Sequence, residues 1–184
     1  MSPLILILGL ASLLLALGAA ILLWLLIRTR RRLAALEQAA RHDLLTGLPN
    51  RRGLALLWDR LTPPRTLLMV DLVGFKAVND SHGHLVGDAL LKQVAARLSA
   101  AIPPPGRLAR WGGDEFVAIV PEGEAAATAE RLGAATLIPF DLSADGGPAA
   151  VSIGVRIGTA APATALAPAL ADAARELHAA RRAA

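Results

Sequence analysis

Cysteine is absent from the 184-residue sequence. That rules out disulfides, thiol catalysis and thiolate metal sites, so any bound metal must be held by Asp, Glu, His or backbone oxygen, and a hard cation such as Mg²⁺ becomes the default. Aromatic residues make up 3% of the chain. A single-stranded nucleic-acid surface needs stacking rings, and so few leave no platform for RNA; no nucleic-acid partner is expected. Charge of either sign is missing from Pro3 to Ile27. That run is apolar or small throughout, long enough to cross the hydrocarbon core of a bilayer as a helix.

The residues just after the run fix its meaning. The net charge is +4, but the arginines cluster at Arg28 and Arg30 to Arg32, directly after the apolar stretch. This is the pattern of a topology signal at cytoplasmic headgroups, and the rest of the chain is then close to neutral. A signal peptide carries a positive n-region and a shorter apolar core, whereas Met1-Ser2-Pro3 has no charged side chain. Residues 1–27 are therefore expected to form a retained single-pass anchor in the inner (cell) membrane, with the remainder cytoplasmic and no room on the far side for a sensor domain. Residues 28–42 continue as a stalk. Leu33, Leu36 and Ala40 are spaced as in a helix that could pair with its copy, but two heptads serve a solvated stalk equally well.

From Asp43 onward helical and strand patterns alternate. Asn50 can cap a helix running to about Arg60, which Pro63-Pro64 end. Thr66 to Val73 is an apolar run of strand length closed by Gly74. His84 to Ile102 has helical spacing, and Pro103 to Gly106 stop it. Arg107 to Trp111 and Glu115 to Val120 flank Gly112-Gly113 as a hairpin. Glu122 to Ala135 is Ala-rich and helical, Ala150 to Ile157 reads as a strand, and Leu166 to Arg182 as a last helix. The alternation predicts an α/β fold with helices packed on one sheet.

Three acids stand out. Asp71 ends an apolar strand, a rigid place from which to present a carboxylate. Asp114 and Glu115 follow two glycines at a hairpin tip. If the hairpin pairs beside the Asp71 strand, the carboxyls converge, and such a cluster repels itself unless a divalent cation is present. Each acid alone also has a blander reading, a solvated turn, which suits Asp71 as well as a ligand role does and suits the hairpin acids less.

Taken together, several stretches resemble the GGDEF family of diguanylate cyclases: Asp43-Leu44-Leu45-Thr46-Gly47-Leu48-Pro49-Asn50-Arg51-Arg52, Asp71 to Lys76, Asn79-Asp80, Gly83-His84, Gly87-Asp88, Arg110 to Phe116 and Ser152 to Val155. The resemblance covers residues 43–184. It implies a ferredoxin-like sheet with flanking helices, akin to polymerase palm and nucleotidyl cyclase domains. Two subunits, each holding one GTP, would meet as a homodimer and join the nucleotides into cyclic di-GMP. It also implies that Asp71, the Leu72 carbonyl and Asp114 hold Mg²⁺, with Mn²⁺ an alternative. Glu115 would bind the second ion or assist deprotonation, Asn79 and Asp88 would recognise guanine, His84 would line that pocket, and Lys76 would contact phosphate. Read without the resemblance, Asn79 and Asp88 would be helix caps and Lys76 a surface lysine.

The match departs from the family in three places. Val73 stands where a second Asp is common, which is expected to weaken activity. Pro103 and Gly106 occupy the positions of an inhibitory product site, so feedback through that site is not expected. In the last helix one register uses Ala171-Asp172 and puts Ala179 where a phosphate-binding Lys is usual. Sliding by two recovers Leu177 and Arg181, leaving Arg181 or Arg182 as candidates for the triphosphate. These departures keep a second reading open, a membrane-anchored module that binds GTP or a partner protein without turnover.

Overall fold

The computed structural model describes residues 3–183, apart from the side chains of 4–7, 9–12, 34–36, 38 and 39. It contains two compact units, Met1–Ala40 and Arg41–Ala184. The first is a continuous helix, α1 (Pro3–Ala39). Its stretch Leu13–Leu33 is long and apolar enough to cross a membrane, with a mean hydropathy of 1.9. Leu13 to Leu15 and Ile21 to Ile27 are solvent-exposed. Near its basic end the Arg28 guanidinium lies 5.0 Å from the Trp24 ring centroid. Of the proposed stalk seam, Leu33 is exposed, while the side chain of Leu36 lies outside the described residues.

In the second unit α2 (Arg51–Arg60) begins where expected, because the Asn50 side chain accepts from the Arg52 and Gly53 amides. β1 (Arg65–Val73) follows, then α3 (Phe75–His82) and α4 (His84–Ala101). The hairpin strands are β2 (Arg107–Gly112) and β3 (Glu115–Pro121), so its two-residue turn is Gly113-Asp114, one position later than the glycine pair suggests. α5 (Ala125–Leu137), β4 (Gly154–Thr159) and α6 (Leu166–Arg182) complete the chain. α5 starts later than Glu122 because Gly123, at φ +87°, turns the chain after Pro121. β4 is displaced from the expected Ala150 to Ile157. Val151 is diverted into an isolated bridge with Phe140 and buried there, and pairing with β1 begins only at Gly154.

The sheet order is β2-β3-β1-β4, with every pairing antiparallel. With β1, helices, β2, β3, helix and β4 in sequence, this is the split βαβ arrangement of a ferredoxin-like domain. Alternation along β1 sorts the core. Leu68, Val70 and Leu72 face α4 and α5 together with Phe116, Ala118 and Val120. Leu67 and Met69 face α2 and α6 with Val117, Ile119, Trp58, Ala173 and Leu177. Each fully buried Leu, Ile or Phe contributes about 1.5–3 kcal/mol, and the two layers hold the central strand from both sides.

One contact sets the height of α6. Gly158 pairs with Met69, and a Cβ added at Gly158 would collide with the Ala173 carbonyl oxygen and the Leu177 amide nitrogen. Helix and strand therefore touch backbone to backbone there. Arg181, one turn beyond Leu177, shares its face of the helix.

Candidate active site

The register that builds the core also builds a polar row. Asp71 is directly opposite Glu115 on β3 and Arg156 on β4. All three lie on the α6 side, two residues beyond Met69 in the alternation. Asp71 is buried, at 5% exposure. Over this row hangs Arg181: its Nη2 donates to Asp71 Oδ1 at 2.6 Å and to Glu115 Oε1 at 2.9 Å, and its Nε to Asp71 Oδ2 at 3.2 Å. The Arg156 Nη1 is 3.7 Å from Asp71 Oδ2. Two carboxylates directly opposite one another repel, and this shared guanidinium offsets the repulsion. The Asp71 and Glu115 bonds in turn raise the pKa of Arg181 against the opposing effect of burial.

Gly113 adopts φ +50°, a left-handed conformation in which a side chain would be strained, and so allows the tight turn. The tip is tied to β1 by the Leu72 amide, which donates to the Asp114 carbonyl at 3.3 Å. Burial raises the Asp114 pKa, and the charges of Asp71 and Glu115 raise it further; a backbone hydrogen bond and Arg181 work the other way. Behind the tip, Arg110 donates to the Gly113 carbonyl through Nε and Nη2 (3.0 and 2.7 Å) and to Asp43 Oδ1 through Nη1 (2.9 Å). Asp43 also accepts from the Thr46 amide and hydroxyl. Burial opposes ionisation of Asp43, but the bonds from Thr46 and Arg110 outweigh it and hold its pKa below the usual aspartate value. Arg51 donates to the Trp111 carbonyl and lies 4.5 Å from that ring's centroid. The segment following α1 is thus clamped to the hairpin.

Among the described residues no group of three Asp, Glu or His side chains is gathered as a ready metal cage. The donor set nonetheless suits a hard cation. Asp71, Glu115 and Asp114 offer carboxylate oxygens and Leu72 a carbonyl, donors of the kind that suits Mg²⁺ or Mn²⁺ rather than a soft metal.

On the other flank, Asn79 and Asp88 do not cap helices. α3 and α4 have Gly74 and Gly83 at their N-caps, with no side-chain cap. Both Asn79 and Asp88 are half-buried, and within the described residues neither side chain hydrogen-bonds to the protein. Gly87 lies so close to the Asn79 amide oxygen that any Cβ would displace it. Packing against Gly87 therefore holds the Asn79 amide, and both it and the half-buried Asp88 carboxylate keep polar atoms available. His84 is exposed at the start of α4. Lys76, 85% exposed, pairs with Asp80 at 3.0 Å.

In the last helix Arg181 reaches the acids, whereas Ala179 and Arg182 are exposed. Asp172 instead accepts from the Ala161 amide at 2.8 Å and pairs with Arg175. Geometry thus favours the slid register. Arg156 is the residue that sequence reasoning passes over. Its position depends on the β1/β4 register, and the local sequence gives no signal of it.

Sheet order and acid placement together define a ferredoxin-like domain of the palm type. The family model described as "Diguanylate cyclase, GGDEF domain" matches residues 40–184, and the chain belongs to the GGDEF family. It is 41% identical over 135 residues to the bifunctional diguanylate cyclase/cyclic di-GMP phosphodiesterase MucR of Pseudomonas aeruginosa, covering 66% of this chain and 19% of MucR. An uncharacterized 19.3 kDa protein of Streptomyces ambofaciens is 38% identical over 154 residues, 82% of this chain and 81% of that one. Among solved structures, the coiled coil and GGDEF domain of DgcB from Caulobacter crescentus, in complex with c-di-GMP, superposes with a TM-score of 0.72 at 25% identity, over 86% of this chain and 89% of that chain. The chain spans less than a fifth of the length of several of the curated relatives it matches, MucR among them.

Proposed function

We propose that this protein is a membrane-anchored diguanylate cyclase that condenses two GTP into cyclic di-GMP and two pyrophosphates. The observation that carries the reading is the cross-strand pair Asp71 and Glu115, with Asp114 on the adjoining tip. A divalent cation held by Asp71, the Leu72 carbonyl, Asp114 and Glu115 would supply Lewis-acid stabilisation of the reacting phosphate and a more acidic ribose 3′-hydroxyl. Glu115 either completes a second ion's ligand set or takes the 3′-hydroxyl proton. Guanine offers N1–H and an exocyclic amine beside the O6 acceptor, so the Asp88 carboxylate accepts from the first two and the Asn79 amide donates to the third. Adenine would leave Asp88 unpaired. His84 lines this pocket. Lys76, exposed on a flexible stem, exchanges Asp80 for a phosphate.

Each domain holds one nucleotide, and a cyclic product with two phosphodiester bonds needs two nucleotides face to face, so the working unit is a homodimer. The apolar helix followed by Arg28 and Arg30 to Arg32 supports insertion in the inner membrane with the catalytic unit cytoplasmic. Confinement to a surface raises the effective concentration of subunits and favours their pairing. Incubating the detergent-solubilised chain with GTP and Mg²⁺ should yield cyclic di-GMP and pyrophosphate. GTP binding without product would instead establish a module without turnover.

A further inference from the structure

Arg181 stands where a metal ion would. Its guanidinium bridges Asp71 and Glu115 through three hydrogen bonds, of 2.6, 2.9 and 3.2 Å. Magnesium sits about 2.0–2.1 Å from its ligand oxygens, so an ion held by these same carboxylates falls inside the volume the guanidinium fills. Ion and guanidinium therefore compete for the same carboxylate oxygens. Arg156, at 3.7 Å from Asp71, adds a second, looser positive charge at the same acid. Arg181 is also free to leave: it lies in the last turn of α6, and its side chain is 33% exposed.

We propose that Arg181 is a resident counter-ion of the carboxylate pair, which a divalent metal must displace in order to bind. Without metal, Arg181 keeps two facing acids from repelling one another. With metal, it is turned out beside the triphosphate that accompanies the ion. The free protein therefore binds divalent metal weakly, and the arginine acts as a positioning residue that couples metal occupancy to nucleotide. This inference rests on the reading of the three acids as a metal site.

The test is Mn²⁺ binding to the full, detergent-solubilised chain without nucleotide, followed by electron paramagnetic resonance. Arg181→Gln should bind Mn²⁺ roughly tenfold or more tightly than wild type, since one charge-assisted interaction no longer competes. Arg156→Gln should shift affinity in the same direction by less. Arg181→Lys, which keeps the charge but loses the planar fork, should fall between wild type and Arg181→Gln. Arg182→Gln, removing the same charge from an exposed neighbour, should change nothing. Equal tightening by Arg182→Gln would reduce the effect to long-range charge and overturn the exchange. Binding that Asp71→Asn abolishes but Arg181→Gln does not tighten would overturn the exchange alone. Binding indifferent to Asp71→Asn would overturn the metal-site reading, and the exchange with it.

Discussion

Gly158→Ala tests the contact on which the position of Arg181 depends. The added Cβ would meet the Ala173 carbonyl oxygen and the Leu177 amide, both backbone atoms, and the Leu177 Cβ at 2.8 Å. Backbone cannot rotate aside as a side chain does, so α6 must lift from β4 and carry Arg181 away from Asp71. Overpacking of this kind costs about 1–3 kcal/mol. In a domain of this size each kcal/mol lowers the melting temperature by roughly 2–4 °C, so circular dichroism should record a drop of about 2–12 °C. Gly133→Ala gives the opposite sign. Gly133 lies within α5 with nothing within 4 Å of the new Cβ, and replacing a helical glycine with alanine gains about 0.5–1 kcal/mol. A Gly158→Ala protein that melts at or above the wild-type temperature would refute the backbone contact and the reasoning that places Arg181.

Two further predictions concern other parts of the domain. Asp88→Ala should reduce the selection of GTP over ATP by roughly tenfold or more in competition binding, because the carboxylate that pairs with the guanine donors is gone; an unaltered preference would remove Asp88 from recognition. For Asp43 the folded carboxyl binds its proton less tightly than the unfolded one, so its contribution to stability is complete above the usual aspartate pKa and is lost as pH falls through the lowered folded value. Acid titration of the melting temperature should show this fall, and Arg110→Ala should make it shallower; an identical profile would show that Arg110 does not hold Asp43.

The fold was legible in the sequence wherever period and punctuation agreed. β1 is a mostly apolar run of strand length between Pro64 and Gly74, broken near its end by Asp71, and α2 is announced by Asn50 and ended near Pro63. Where a tertiary contact decided the outcome, local pattern misled. Val151 looks like strand but is taken by Phe140, and α3 follows a glycine cap with no side-chain signal at all. The site divides in the same way. Asp71, Asp114 and Glu115 are marked by strand end and hairpin, while the row that joins Arg156 to Asp71 exists only through cross-strand register. The choice between Ala179 and Arg181 depended on the height at which Gly158 lets α6 sit.

Glu115→Gln bears most directly on the central claim. The amide keeps the size of the carboxylate and one carbonyl oxygen, but it removes the negative charge that holds a hard cation strongly and the capacity to take a proton. With GTP and Mg²⁺ present, the variant should bind GTP yet form at least about a hundredfold less cyclic di-GMP than wild type. Product formation at the wild-type rate would contradict the assignment of chemistry to the Asp71, Asp114 and Glu115 cluster.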